Sequence, residues 1–251
     1  MDPNKTRSSI AQQRYTWRWR DLLIIVFGIA LILFLGVLVF VSVNIARGES
    51  LESLVEPTIS QTLGLTALEA IALILGVYLF GLRRRGLGWR SAGLRPASWS
   101  WILISVVATL IIIPIASLIT LAVLYLGGQP LENPQLSFLL PEGLSAQDAV
   151  IMLFLAGFAA PLGEELLFRG VLYSFLRERW GVWLSVFVSS FLFGLIHGNI
   201  AVGLTGFLLG IVAAIVFEYS KSLWTAVIVH SINNSLKIGL LYVLVLLGLE
   251  I

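Results

Sequence analysis

Residues 22–43 read LLIIVFGIALILFLGVLVFVSV, twenty-two positions without a charge. A helix of that length extends ~33 Å, enough to cross a hydrocarbon layer ~30 Å thick. The run is about twice as long as the apolar core of a cleavable leader, and no small-residue cleavage pattern follows it. It reads as a retained first span. Further apolar segments follow at 65–82, 101–126, 149–175, 183–197, 200–217, 223–230 with its continuation, and 236–249. The expected fold is therefore all-α, a polytopic integral membrane helix bundle of about eight transmembrane helices. Pro114, Pro161, Gly206 and Gly210 fall inside these segments, which membrane helices tolerate because neighbouring helices satisfy the freed backbone.

Composition agrees. The chain has 251 residues, 58% of them hydrophobic and 12% charged, with a mean hydropathy of +0.97. A soluble domain carries about twice that charge. A disordered chain, a secreted disulfide scaffold and a soluble enzyme are excluded. The absence of cysteine removes disulfides, thiolate nucleophiles, iron–sulfur clusters and thiolate zinc sites. Nothing in the pattern calls for nucleic acid.

The net charge is only +2, but the cations are clustered, and in membrane proteins clustering sets orientation. Lys5, Arg7, Arg14, Arg18 and Arg20 precede the first span. Arg83, Arg84, Arg85, Arg90 and Arg95 follow the second, and Arg177 and Arg179 follow the fourth. The alternate loops hold Arg47 against Glu49, Glu52 and Glu56, and then Glu132, Glu142 and Asp148 without a base. The N-terminus is expected on the cytoplasmic side and, with eight spans, the C-terminus as well. Short loops and this bias fit a prokaryotic plasma membrane. Trp17, Trp19, Trp89, Trp99, Trp101 and Trp180 lie near span ends, where interfacial anchors belong. The Arg83–Arg85 run reads as a topology signal rather than a lipid site.

An ionisable group inside a span costs ~2.5–3.5 kcal/mol and asks for a reason. Such groups concentrate in the second half of the chain. In Gly163-Glu164-Glu165-Leu166-Leu167-Phe168-Arg169, Glu165 and Arg169 are four apart on one helical face and can neutralise each other. Glu164 points ~100° away and has only Leu167 and Phe168 at the facing positions. It is the spare acid, a candidate general base. Pro161 before it can bend the helix and admit water. The chain's two histidines each sit in a polar cluster: His197 in Phe193-Gly194-Leu195-Ile196-His197-Gly198-Asn199, and His230 in His230-Ser231-Ile232-Asn233-Asn234, with Asn234 one turn on. Measured from the turn near Arg177, Glu164 lies ~20 Å and His197 ~24 Å away along antiparallel helices, and His230 ~14 Å from the next turn on that side. The three can meet in one cavity, with Gly198, Gly203, Gly206 and Gly210 allowing close approach of helices.

An acid, two imidazoles and a carboxamide suit hydrolysis of an amide by activated water, with the oxyanion held by an imidazole and an amide N–H. No Gly-x-Ser-x-Gly elbow is present, and Lys237, two residues from Ser235, faces away from it. The same atoms can instead form a zinc site of Glu164, His197 and His230. The metal-free arrangement is preferred, because no His-Glu-x-x-His helix occurs.

Glu164, Glu165 and Arg169 in Glu-Glu-x-x-x-Arg, Phe193 and His197 in Phe-x-x-x-His, and His230 and Asn234 in His-x-x-x-Asn resemble, in order, the motifs of the CAAX protease and bacteriocin-processing (CPBP, Abi) family of intramembrane proteases, which includes the type II CAAX prenyl endopeptidases. The resemblance covers about residues 100–250. It implies an intramembrane endopeptidase whose catalytic domain occupies residues 101–251, with the tail and first two spans, residues 1–100, outside it. It further implies that Glu164 and His197 activate water, His230 and Asn234 form the oxyanion hole, and Glu165, Arg169 and Phe193 support the site. Whether a metal takes part stays open between the metal-free and zinc forms. The implied partners are membrane lipids and a lipidated or membrane-associated protein or peptide. Two alternatives use the same residues: a transporter with a proton relay, and a non-catalytic immunity or scaffold protein.

Overall fold

A computed structural model describes residues 17–49, 57–131 and 145–247. Among them there is no strand; seven helices form the bundle. These are α1 (Trp19–Ala46), α2 (Ile59–Arg85), α3 (Trp99–Leu126), α4 (Ala146–Trp180), α5 (Val182–Leu195), α6 (Ile200–Ser220) and α7 (Leu223–Leu246). All but α5 are long and apolar enough to cross a membrane, and the molecule is an integral membrane protein. Helix starts follow their local chemistry. Thr58 and Gln61 cap α2 reciprocally, Ser145 and Asp148 do the same for α4, and the Asn199 side chain accepts the Val202 N–H at the head of α6.

The count differs from eight at one place. The segments expected at 223–230 and 236–249 are one helix, α7. Ser231, Asn233, Asn234 and Ser235 interrupt the hydropathy, but no proline or glycine interrupts the backbone until Gly239. Polar side chains do not break a helix that can turn them toward a cavity. The expectation of a cytoplasmic C-terminus rested on an even number of spans. With α7 continuous, that premise is gone.

The basic segments do meet at one end. Asp21 at the start of α1 pairs with Arg84 and Arg85. The Leu223 N–H donates to the Gly93 carbonyl at 2.7 Å, and Ser222 Oγ donates to the Arg95 carbonyl. Glu218 near the end of α6 accepts from Arg177, Tyr173 and Lys221. Trp17 departs from its expected place at the interface. It is fully buried, and its indole N–H donates to the Gly170 carbonyl at 2.8 Å, a partner that a buried indole requires.

α4 and α6 are the most enclosed spans, while α1 and α3 turn most of their surface outward. Their outward side chains, such as Phe27 and Leu118, are apolar, as a lipid-facing surface must be. Two close approaches set the centre. A Cβ on Gly163 would lie 2.8 Å from the Leu73 Cβ, so α4 packs against α2 with no side chain between them. Gly194 of α5 meets the backbone carbonyl of Gly203 on α6, which fixes the α5–α6 hairpin at the turn carrying His197.

Candidate active site

The winding of α4 explains where its functional groups point. Ala160–Glu165 is one short stretch of regular helix between two wider-wound segments, Leu155–Ala159 and Leu166–Tyr173. Such widenings leave carbonyls without their usual partners and cluster at functional sites. The Ala160 N–H bonds to the Leu155 carbonyl, five residues back. In that register the Ala156 carbonyl would look to residue 161, but Pro161 has no N–H. The Asn234 amide N–H fills the vacancy, donating to the Ala156 oxygen at 3.0 Å. Past Arg169, the Ser174 hydroxyl takes the Arg169 carbonyl and Trp17 takes that of Gly170. Pro161 thereby leaves exposed the acceptor that holds Asn234. Pro161→Ala supplies a competing N–H. The expected result is a fall of about tenfold in the rate of the reaction proposed below, and this effect vanishes in a double variant with Asn234→Ala, as a shared path requires.

Glu165 and Arg169 form the anticipated ion pair at 2.9 Å, with both side chains buried. The pair does more than neutralise charge. The same Glu165 Oε1 accepts from His230 Nδ1 at 3.1 Å, and Arg169 Nη2 donates to the Gly210 carbonyl at 2.9 Å. Glu165 thus orients an imidazole on another helix. Glu164 takes the other direction, as its lack of an i+4 partner suggested. Its Oε2 is buried without a hydrogen bond among the described residues and lies 4.0 Å from His230 Nε2. That gap is too long for a direct bond and suits a bridging water.

His197 Nδ1 is 2.8 Å from the Phe193 carbonyl. A carbonyl only accepts, so Nδ1 carries a proton, and in the neutral ring Nε2 keeps its lone pair. The Phe193 ring stands edge-on to both imidazoles, with centroids 5.1 Å from His197 and 5.3 Å from His230, while the Arg169 guanidinium lies over its face. Glu164, Glu165, Phe193, His197, His230 and Asn234 all line one cavity of about 60 Å³. A water needs ~10–15 Å³ on this measure, so there is room for a few.

Three more polar residues belong to this region. Asn233 and Lys237 line the cavity wall with His230 and Asn234, because positions 230, 233, 234 and 237 form one stripe of α7. Asn233 Nδ2 donates to the Asn234 Oδ1 at 3.0 Å. Glu69, on α2 one turn before Leu73, interacts electrostatically with Glu164 and His230. It was passed over in the sequence, although an acid in the middle of a span is the kind of signal that asks for a reason.

Among the described residues, no three His, Cys, Asp or Glu side chains are grouped so as to hold a metal ion. Glu165 engages His230 Nδ1 and the Phe193 carbonyl engages His197 Nδ1, which leaves Nε2 as the uncommitted nitrogen of each ring.

Comparison with known proteins bears on this same part of the chain. Residues 146–236, which run from the start of α4 into α7, match the family described as type II CAAX prenyl endopeptidase Rce1-like. An Escherichia coli "Uncharacterized 24.3 kDa protein" is 31% identical over 133 residues, 49% of this chain and 60% of that protein. The Bacillus subtilis (strain 168) "Putative membrane peptidase YdiL" is 24% identical over 89 residues, 36% of each chain. The chain thus spans 60% and 36% of the length of these curated relatives. No solved structure matches at a significant level. The three ordered motifs lie within the matched segment, and over it the chain is similar to the type II CAAX prenyl endopeptidases.

Proposed function

We propose that the protein is an intramembrane endopeptidase of the CAAX type, acting on a lipidated or membrane-associated protein or peptide from a catalytic domain at residues 101–251. The observation that carries this reading is the buried Glu164 Oε2, without a hydrogen bond among the described residues, in a cavity with room for a few waters that it shares with both imidazoles and Asn234. Glu164 takes a proton from water, which His197 Nε2 helps to orient. The water oxygen attacks the scissile carbonyl carbon, and the carbonyl π pair moves onto oxygen. His230 and Asn234 donate to that oxyanion. Asn234 has a second N–H to spare beyond the one given to Ala156. His230 commits its Nδ1–H to Glu165, so it donates to the oxyanion from a protonated Nε2, with Glu165 as counter-charge. As the tetrahedral adduct collapses, the C–N bond breaks and Glu164 returns the proton to the leaving nitrogen. The basic loops support a cytoplasmic N-terminal side.

The test is reconstitution of the full chain in lipid vesicles with a panel of membrane-anchored peptides, with products identified by mass. The expected result is a single internal cleavage that persists after chelation and removal of bound metal. Substrate-dependent proton flux with no cleaved peptide would establish the relay alternative instead. Loss of cleavage on chelation, restored by Zn²⁺, would show that the site rearranges around a metal.

A further inference from the structure

Lys237 is a cation in the wall of the proposed catalytic cavity, and no group among the described residues answers it. It is half-buried, it lines the cavity with Glu164, His197, His230 and Asn234, and it makes no hydrogen bond or ion pair among the described residues. The acids of the site are engaged elsewhere. Glu165 holds Arg169 and His230, Glu164 faces His230, and Glu69 acts on Glu164 and His230. The electrostatic influence of Lys237 falls on His197, the other flank of the site. An ammonium in the interior of a span is expensive to keep, and such groups normally pair with another charge or serve a ligand.

We infer that Lys237 is a specificity-determining residue that receives a carboxylate of the peptide substrate, an inference that rests on the protease reading above. Lys237 follows Asn234 by three residues, or ~4.5 Å along α7. An extended peptide advances ~3.3–3.6 Å per residue. The recognised carboxylate therefore lies within about two residues of the carbonyl that Asn234 would hold. It is either the free C-terminal carboxylate of a substrate cut close to its end or an Asp or Glu side chain beside the cleavage point. Both offer the same chemistry, an acceptor for a three-donor cation. A carboxamide in its place leaves the ammonium without a counter-charge, so discrimination should be strong.

Binding is measured on full-length Glu164→Gln protein, which holds peptide without turning it over. The probes are lipid-anchored peptides carrying a neutral fluorophore, in two matched pairs: C-terminal acid against C-terminal amide, and internal Asp against internal Asn. The acid member of one pair should bind about tenfold more tightly, and the pair that shows it identifies the source of the carboxylate. Lys237→Met should bring the ratio close to one, while Lys237→Arg should keep most of it. Equal binding within both pairs, or a preference that survives Lys237→Met, overturns the assignment. Cleavage is read separately on protein with Glu164 intact. Absence of any product counts against the protease reading, whereas the binding ratios judge Lys237 whether or not product forms.

Discussion

Glu164→Gln should lower the rate of peptide hydrolysis by about a thousandfold, the scale at which a positioned general base contributes. The substitution preserves shape and removes only the ability to take a proton. It should leave the fold intact, because Glu164 Oε2 gives up no hydrogen bond within the protein. Initial rates on a membrane-anchored peptide, together with thermal unfolding of the same detergent-purified sample, measure both quantities. A variant that cleaves at the wild-type rate would remove Glu164 from the chemistry. A variant that unfolds many degrees early would mean that the carboxylate holds the bundle together in a way the geometry does not suggest.

Arg169→Ala should produce the largest loss of stability, about 3–5 kcal/mol, because it leaves the buried carboxylate of Glu165 with only His230 as a partner rather than merely deleting a contact. It also removes the donor to the Gly210 carbonyl. Replacing both partners with apolar residues, Glu165→Leu with Arg169→Met, should recover most of that loss, since no charge is then left unpaired. Activity should not recover, because His230 Nδ1 loses the acceptor that orients it. Denaturation in detergent, run beside the peptide assay, separates the two effects. Equal recovery of activity and stability would reduce Glu165 to a purely structural partner.

The two kinds of periodicity in this chain differ in how far they reach. Long apolar runs determine spans directly, because a bilayer of given thickness demands them. The seams of α1 to α4 were accordingly readable from residues 22–43, 65–82, 101–126 and 149–175. The same rule misled at α7, where Ser231 to Ser235 lowered hydropathy without breaking the helix. Spacing along one helix also carried information. Glu165 with Arg169, and His230 with Asn234, could be placed on common faces from their separation of four. What spacing does not encode is contact between helices. That one oxygen of Glu165 serves both Arg169 and His230 depends on how α4 meets α7. That Asn234 binds the Ala156 carbonyl depends on a register shift and a missing N–H that no helical wheel displays. Lys237 was judged only against Ser235, and its place on the stripe of His230 and Asn233 went unread. Trp17 was assigned by its position near a span end, when its buried indole was set by a carbonyl 153 residues away in the chain.

That distant bond has a mechanical meaning. Trp17 clips the lead-in to α1 onto the backbone just past Arg169, and the Arg179 guanidinium grips the Trp17 carbonyl from the other side. A pull on Trp17 would travel through this clasp to the turn of α4 that bears the buried guanidinium. Trp17 is thereby a tie between the start of the first span and the helix that carries Glu164, Glu165 and Arg169.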